Sequence, residues 1–467
     1  MTEVSFAQHG MWINERMGAG PAYHMPIVIR LPGPPDRGVL AKAVVAVAER
    51  HPLLGSAVQE RDGVLHLVPA RTPPALADTP VEGPFDLERG PLVRFSLDGR
   101  TLLVEAHHLV FDGQSKDILV ADLAAFCEGT VPPPLGTADH AALQRERVAA
   151  RLGQAREFWA ERWREPGELA VPGGVLRSRK AGPGKAAEFR LDVPEVGGLT
   201  RFEVVLAALH TLLRSYGNAG VVTAVDLSTR TEAEAGHIGP FVNELPVFTS
   251  PSPGTPFAEF AAGLRAELRQ LYAVREVPIA RAVPGVKPHA ALAPVSVSYR
   301  RAGRQVPGWE VELLAFNQAV RGALQLQLLD EPDGLRASLR YDPDELAEPD
   351  RVADDLRSLL SRIGPDRLLS ELVPFQGVCA PNVAVAAAGS TPAVAGHPLL
   401  AEITAIWEEV LKFSPVEPHD DIFDLGGHSL TITQIIARMR KRLNVEIELD
   451  DFFDNPTIAG VLEVIRR

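Results

Sequence analysis

Apolar and polar positions alternate between a strand period and a helix period over roughly the first 370 residues. Residues 23–33 are rich in β-branched side chains and bounded by proline and glycine, a pattern typical of a strand. Residues 36–49 then carry apolar side chains at helical spacing. The predicted buried face of this helix consists of Val39, Leu40, Val44, Val47 and Ala48. The alternation favours an α/β protein in two halves, with helices that cover its sheets.

A tight hairpin is predicted around Gly99, because strand-like stretches lie on both sides of it. Its second strand, residues 101–108, ends in two adjacent histidines. The apolar pattern that follows predicts a helix with Ser115 as its N-cap.

The composition changes towards the C-terminus. Residues 376–396 are small or are proline and glycine, without a charged side chain, which predicts a linker. Residues 397–467 return to helical spacing, with a helix predicted to begin near Ser429 and a last helix capped by Thr457. Their length fits a small helical bundle.

Composition and charge narrow the functional classes. The net charge of −13 over 467 residues argues against a nucleic-acid partner held through phosphate contacts. The only cysteines are Cys127 and Cys379, so we expect no disulfide framework and no thiolate metal site, as in a reducing cytoplasm. The sequence shows no secretory signal and no apolar run long enough to span a bilayer, and it predicts a cytoplasmic protein without a membrane partner.

The candidate chemistry begins with the sequence HHLVFDG, which places His107, His108, Asp112 and Gly113 where a strand runs into a loop. Adjacent histidines on a strand point to opposite faces, so only one can face a given cavity. The same sequence would also be explained by two histidines with purely structural roles followed by an Asp-Gly turn. A metal site is poorly supported, because the histidine spacing does not suit one.

The HHLVFDGQS motif resembles the active-site motif of condensation domains of nonribosomal peptide synthetases, members of the chloramphenicol acetyltransferase-like superfamily. Further segments are similar to signatures of that family in the same order: Ser5, Ala7, Gln8 and Trp12, then residues 49–58, then FWAERW, then residues 236–246 with Asn243. The resemblance covers residues 1–375. It implies two chloramphenicol acetyltransferase-like subdomains, residues 1–165 and 166–375, in a V-shaped pseudo-dimer.

This resemblance also implies roles. His108 would orient the attacking amine or take its proton, whereas His107 would be structural. Asp112 would pair with Arg230, Gly113 would allow a close backbone approach to the reacting carbonyl, and Asn243 would support the site. The sequence departs from the family at Gln114 and Glu244, and it is compressed after residue 280. These departures concern the substrate and the shape of its tunnel.

The second motif is GGHSL, which contains Ser429. A glycine turn followed by a serine cap would explain it locally. Between two amphipathic helices, however, it resembles the attachment motif of peptidyl carrier proteins, and the resemblance covers residues 397–467 as a four-helix bundle. Ser429 would then carry covalent phosphopantetheine, whose phosphodiester suits a helix N-terminus.

Taken together, the two resemblances imply amide-bond formation between an upstream carrier-bound acyl thioester and an aminoacyl group tethered to Ser429. The implied partners are an upstream carrier protein, an adenylation enzyme that charges Ser429 in trans, a phosphopantetheinyl transferase, and a downstream module or thioesterase. A catalytically silent recruitment domain, an ester-forming relative and an epimerising relative remain alternatives.

Overall fold

The computed structural model describes residues 2–61, 63–136, 138–284, 286, 290–364, 366–374, 397–411, 415–418, 420, 422, 429–447, 452 and 456–465. The linker predicted over residues 376–396 lies outside these ranges.

The strands of the described residues are short to medium in length and are spread over residues 2 to 341. They are β1 Thr2–Glu3, β2 His24–Arg30, β3 Ser56–Arg61, β4 Val64–Pro69, β5 Leu76–Ala77, β6 Val93–Asp98, β7 Thr101–His107, β8 Leu169–Val171, β9 Gly174–Leu176, β10 Ala181–Pro183, β11 Lys185–Leu191, β12 Val221–Ser228, β13 Val242–Thr249, β14 Val295–Arg301, β15 Glu310–Glu312, β16 Ala319–Arg321, β17 Leu324–Glu331 and β18 Gly334–Tyr341.

The helices alternate with the strands and continue into the C-terminal region. They are α1 Phe6–Arg16, α2 Arg37–Arg50, α3 Gly113–Cys127, α4 His140–Arg162, α5 Arg201–Ser215, α6 Phe257–Val274, α7 Ile279–Ala282, α8 Pro349–Arg362, α9 Leu369–Leu372, α10 Leu400–Leu411, α11 Ser429–Leu443 and α12 Ile458–Ile465. The predicted α/β class is confirmed.

Two main sheets organise the N-terminal region. The first has the order β15-β2-β7-β6-β5, and the second has the order β11-β18-β17-β14-β12-β13. Each sheet has its own apolar core. The strand β15 pairs antiparallel with β2, with Glu310 opposite Arg30, so a short segment late in the chain completes the edge of the first sheet.

Helix α4 also connects the two halves. Its residues Val148, Ala155 and Trp159 lie in the core of the second sheet. At its N-terminal end, the Gln144 side chain accepts a hydrogen bond from Phe6 N (3.0 Å) at the start of α1. Trp159 belongs to the FWAERW segment, and the other aromatic residues of that segment, Phe158 and Trp163, are partly buried against the same core.

The predicted hairpin is present, with Asp98 paired to Thr101 and Gly99 at φ 57° in the turn. Two details of the predicted helices are wrong. Val39 is 40% exposed, because the buried side of α2 lies one residue further round, at Leu40, Ala43, Val44 and Val47. The third helix begins earlier than expected, since Asp112 and not Ser115 caps it.

The C-terminal region has a separate apolar core, formed between α10, α11 and α12. Trp407 of α10 stacks on Phe452 at 5.6 Å between ring centroids, and Met439 of α11 is fully buried. The Thr457 hydroxyl accepts a hydrogen bond from Gly460 N (2.9 Å), which is the predicted cap of α12. Half of the segment between α11 and α12, where the third helix of the bundle is expected, lies outside the described residues.

Candidate active site

The HHLVFDG segment connects the end of β7 to the start of α3. His107 is the last residue of the strand, His108 begins a short 3-10 turn, and Asp112 caps the helix. The Asp112 carboxylate accepts hydrogen bonds from the backbone N–H and the hydroxyl of Ser115, both at 2.7 Å. The preference of aspartate for this cap position explains why the chain turns here.

Asp112 also forms a buried ion pair. Arg230, which follows β12, donates from Nη2 to both oxygens of Asp112 at 2.9 and 3.0 Å. Each side chain is 5% exposed. The backbone N–H of Phe241 donates to the same carboxylate at 3.1 Å. The loop after β7 is thereby fixed to the second half of the fold.

Arg230 is held in turn by backbone carbonyls. Its Nη1 donates to the carbonyls of Glu234 (2.7 Å) and His237 (2.6 Å), and its guanidinium lies 4.5 Å from the centre of the Phe241 ring. The structure thus places Arg230 against Asp112, where the family resemblance put it, and the pair supports the loop instead of lining the cavity described below.

His107 is fully buried beside Tyr23 and Phe85. Its Nδ1 accepts a hydrogen bond from Leu109 N (3.1 Å), and its Nε2 lies 3.7 Å from the Glu15 carboxylate. Burial lowers the pKa of His107 below its ordinary value. Its contacts are those of a structural residue.

His108 instead lines a cavity of about 420 Å³. The cavity is bounded by α1 on one side and by β13 and α7 on another. The His108 Nδ1 is buried and has no hydrogen-bond partner among the described residues. Burial, together with the nearby Arg321 cation, lowers the pKa of His108 to about 4, so its imidazole is neutral at pH 7.

Helix α1 is attached to the same loop. Ser5 and Gln8 form a capping box, with Gln8 N donating to the Ser5 hydroxyl (3.2 Å) and Ser5 N donating to Gln8 Oε1 (2.8 Å). The Gln8 amide also donates to the carbonyl of Leu109 (2.9 Å), directly after His108. Two of the N-terminal signature residues therefore position one wall of the cavity.

Asn243 lies in β13 and lines the cavity. Its amide donates to the carbonyls of Arg275 (2.8 Å) and Val277 (3.1 Å), which holds the segment before α7 in place. Gly113 is the first residue of α3, and a Cβ there would lie 3.3 Å from Arg300 Cδ. Gly113 is not among the residues that line this cavity. The absence of a side chain at Gly113 instead allows α3 to pack closely against β14.

Two family profiles match the chain. One is the condensation domain, which matches residues 70–289, and the other is the phosphopantetheine attachment site, which matches residues 401–465. The chain is a condensation domain fused to a carrier domain. The carrier domain takes covalently attached phosphopantetheine.

Curated relatives of this condensation–carrier protein are nonribosomal peptide synthetases. It is 29% identical over 329 residues to the probable non-canonical nonribosomal peptide synthetase CymA of Salinispora arenicola, covering 61% of this chain and 4% of the relative. It is 28% identical over 329 residues to the phosphinothricin tripeptide synthetase PhsC of Streptomyces viridochromogenes, covering 60% of this chain and 30% of the relative. The chain thus spans less than a third of either relative.

Solved structures share the fold of the condensation domain. The first condensation domain of the calcium-dependent antibiotic synthetase, in complex with a substrate analogue, superposes with a TM-score of 0.65 at 19% identity, covering 79% of this chain and 98% of that one. The X-domain from teicoplanin biosynthesis superposes with a TM-score of 0.63 at 22% identity, covering 79% and 96%. The chloramphenicol acetyltransferase-like fold that the sequence predicted is therefore present.

The condensation domain has further cavity residues that the sequence motifs did not single out together. Asp226 of β12, Glu244 of β13 and Arg321 of β16 all line the cavity that contains His108. The departure at Glu244 was visible in the sequence, but nothing in the sequence pattern connects it to Arg321. Sheet pairing and the loop that carries β16 bring them together.

The carrier domain places Ser429 at the first residue of α11, a helix of 15 residues. A helix N-terminus suits the phosphate of a phosphopantetheine group. The residues just before Ser429, including the rest of GGHSL up to His428, lie outside the described residues.

Neither a metal nor a membrane span is indicated within the described ranges. They contain no group of three or more histidine, cysteine, aspartate or glutamate side chains that could hold a metal ion. No helix in the same ranges is both long enough and apolar enough to cross a bilayer.

Proposed function

We propose that the condensation domain forms an amide bond between a carrier-bound acyl thioester and an aminoacyl group tethered through Ser429. The observation that carries this proposal is the position of His108, which lines a cavity of about 420 Å³ on a loop fixed by Asp112 and Arg230. Phosphopantetheine on Ser429 would supply the thiol that holds the aminoacyl group as a thioester.

His108 would act by orienting the attacking amine. A neutral imidazole can accept a hydrogen bond from the amine, and the pKa of about 4 keeps His108 neutral at pH 7. The same low pKa makes it a weak base, so full removal of the proton is a smaller contribution than alignment. Positioning of two bound reactants can supply roughly 7 to 11 kcal/mol of the barrier.

The weak basicity of His108 also favours an amine over a hydroxyl as the acceptor. A free α-amino group has a pKa of about 7.7 to 8.0, so an appreciable fraction is already an uncharged nucleophile near neutral pH. A hydroxyl would need a stronger base at the same place. Amide formation is therefore preferred to ester formation.

Four partners follow from this chemistry. The donor acyl group would arrive on an upstream carrier protein, and a separate adenylation enzyme would charge Ser429. A phosphopantetheinyl transferase would modify Ser429 first, and a downstream module or thioesterase would take the product.

Reconstitution tests the proposal. The phosphopantetheinylated protein, loaded with an aminoacyl group, is mixed with a loaded upstream carrier, and intact mass is followed at Ser429. We expect an extended acyl chain on Ser429, formed about 100-fold more slowly in His108→Ala. His66→Ala is the matched control, because His66 is a half-buried histidine of β4 whose ring bonds to the Val64 carbonyl (3.0 Å), and it is not among the residues that line the cavity. Near-normal turnover in His108→Ala would remove the active-site assignment.

The attachment site is tested separately. A phosphopantetheinyl transferase with coenzyme A should add one group to the wild type and none to Ser429→Ala, by intact mass. An unmodified wild type, or a modified alanine variant, would contradict the assignment of Ser429.

A further inference from the structure

Two acidic side chains lie opposite each other on the wall of the His108 cavity. Asp226 of β12 and Glu244 of β13 are direct partners in the antiparallel ladder, and both line the cavity. Like charges directly opposite each other destabilise a sheet. Such a pair therefore needs compensation within the structure or from a bound group.

Arg321 provides only part of this compensation. Its Nη2 lies 3.6 Å from Asp226 Oδ1 and 3.6 Å from Glu244 Oε1, and its side chain is 11% exposed. These separations are those of ion pairs and are too long for good hydrogen bonds. With both acids ionised, one guanidinium faces two carboxylates, which leaves one surplus negative charge.

The compensation is incomplete at Glu244. Its Oε2 accepts a hydrogen bond from Leu292 N (2.7 Å), but its Oε1 is buried without a hydrogen-bond partner among the described residues. Burial, reinforced by the charge of Asp226, raises the pKa of Glu244 to about 7, and burial also raises the pKa of Asp226. Without a ligand the pair therefore tends to hold a proton, which a bound cation would replace. A buried carboxylate oxygen that lacks a donor is costly unless a ligand supplies one.

The other cations that line the cavity are engaged elsewhere. Arg145 donates to the carbonyls of Glu3 (3.1 Å) and Val4 (2.8 Å), and the Arg281 guanidinium lies 4.6 Å from the centre of the Phe6 ring. The remaining charge at the cavity wall beside Arg321 is thus negative.

We propose that Glu244 and Asp226, with Arg321 between them, form an acidic subsite that binds a protonated amino group of the substrate in the His108 cavity. The proposal rests on the proposed function, since it assigns the substrate class of the same cavity. The amino group could be the α-ammonium of the aminoacyl substrate or an ammonium in its side chain. Both present the same chemistry, three N–H donors and one positive charge.

Direct binding to the full chain tests the proposal without relying on catalysis. The probes are stable amide analogues of aminoacyl-pantetheine that carry lysyl, norleucyl, Nα-acetyl-lysyl or Nα-acetyl-norleucyl groups. Calorimetry should show that the wild type binds the probes with the relevant ammonium about 10-fold more tightly than their neutral counterparts. A preference for both lysyl probes would indicate a side-chain ammonium, and a preference for both unacetylated probes would indicate the α-ammonium.

Glu244→Gln and Asp226→Asn each remove the surplus charge and should each abolish most of this preference. Glu3→Gln is the matched control, because Glu3 is a carboxylate of the same cavity whose side chain is 48% exposed beside Arg145. It should retain the preference. Because the two substitutions are at different residues, one of them still tests the proposal if the other variant fails to fold.

The proposal is overturned if no charged probe binds, if the wild type does not distinguish charged from neutral probes, or if the preference survives in Glu244→Gln and Asp226→Asn. Its failure is separate from that of the proposed function. Product formation that depends on His108, without any preference for an ammonium, would remove the subsite and leave the reaction in place. A preference for an ammonium without product formation would remove the reaction and leave the subsite in place.

Discussion

At the scale of single residues, two carboxylates in this molecule differ in how completely their oxygens are hydrogen-bonded. Asp112 satisfies the start of α3, the guanidinium of Arg230 and the backbone of Phe241 with one carboxylate. Glu244 differs, because one of its oxygens has no hydrogen-bond donor among the described residues. A fully satisfied carboxylate supports the fold, and an incompletely satisfied one at a cavity wall suits a ligand.

The role of Asp112 can be separated from ordinary helix capping. Asp112→Ala should destabilise the protein by about 3 to 5 kcal/mol, because it leaves the buried Arg230 without its partner. Asp36→Ala should cost only about 1 kcal/mol, because Asp36 caps α2 through Gly38 N and Val39 N at an exposed site. Urea unfolding of both variants gives the comparison, and equal losses would show that the ion pair contributes nothing.

His210 predicts a measurable pH dependence of stability. It is fully buried in α5, hydrogen-bonded to the hydroxyls of Thr249 (2.7 Å) and Thr223 (2.8 Å), and burial lowers its pKa to about 3. As pH falls below about 6.5, the unfolded chain binds a proton at His210 that the folded chain does not, so stability is lost.

Between pH 7 and pH 5, this histidine should lower the free energy of unfolding by about 2 kcal/mol. In His210→Gln that part of the pH dependence should disappear, whereas His66→Gln, at a position that is only half-buried, should keep it. Denaturant titrations at several pH values measure the difference. Parallel pH profiles for wild type and His210→Gln would contradict the burial of a neutral imidazole.

At the scale of elements, the sequence predicted the long, strongly patterned segments best. The helix over residues 36–49 and the hairpin at Gly99 were placed within a residue or so of their bounds. The start of α3 was misplaced, because Ser115 and Asp112 are both good caps and only the contacts with Arg230 and Phe241 decide between them. The strands β8 and β9 have three residues each, too few for an alternation of apolar and polar positions to be recognised in the sequence.

The hairpin of β8 and β9 contains a glycine whose environment requires it. A Cβ at Gly174 would lie 2.3 Å from the backbone carbonyl oxygen of Glu345, whereas a Cβ at Gly182 in β10 would meet nothing within 4 Å. Gly174→Ala should therefore destabilise the protein by about 1 to 3 kcal/mol, because the backbone must shift. Gly182→Ala, also in a three-residue strand, should change stability by less than about 1 kcal/mol, and thermal melts of the two variants test the difference.

At the scale of the whole molecule, local pattern and family motifs predicted the class of the fold and the identity of His108, Asp112 and Ser429 as candidates. They did not predict the acidic cluster, because Asp226, Glu244 and Arg321 come from three strands and carry no common motif. They also did not predict β15, whose three residues are indistinguishable from a loop. Long-range pairing decides both features, and pairing between distant segments leaves no trace in a single sequence.

The pairing of β15 with β2 has a consequence for how the chain is made. During synthesis β2 emerges roughly 280 residues ahead of its partner, which at about 5 to 20 residues per second corresponds to roughly 15 to 60 seconds. Throughout that interval the apolar strand His24–Arg30 has an open edge, the kind of surface that recruits other nascent chains. Translation speed and chaperone capture, rather than the stability of the finished protein, would then set the yield of correctly assembled molecules.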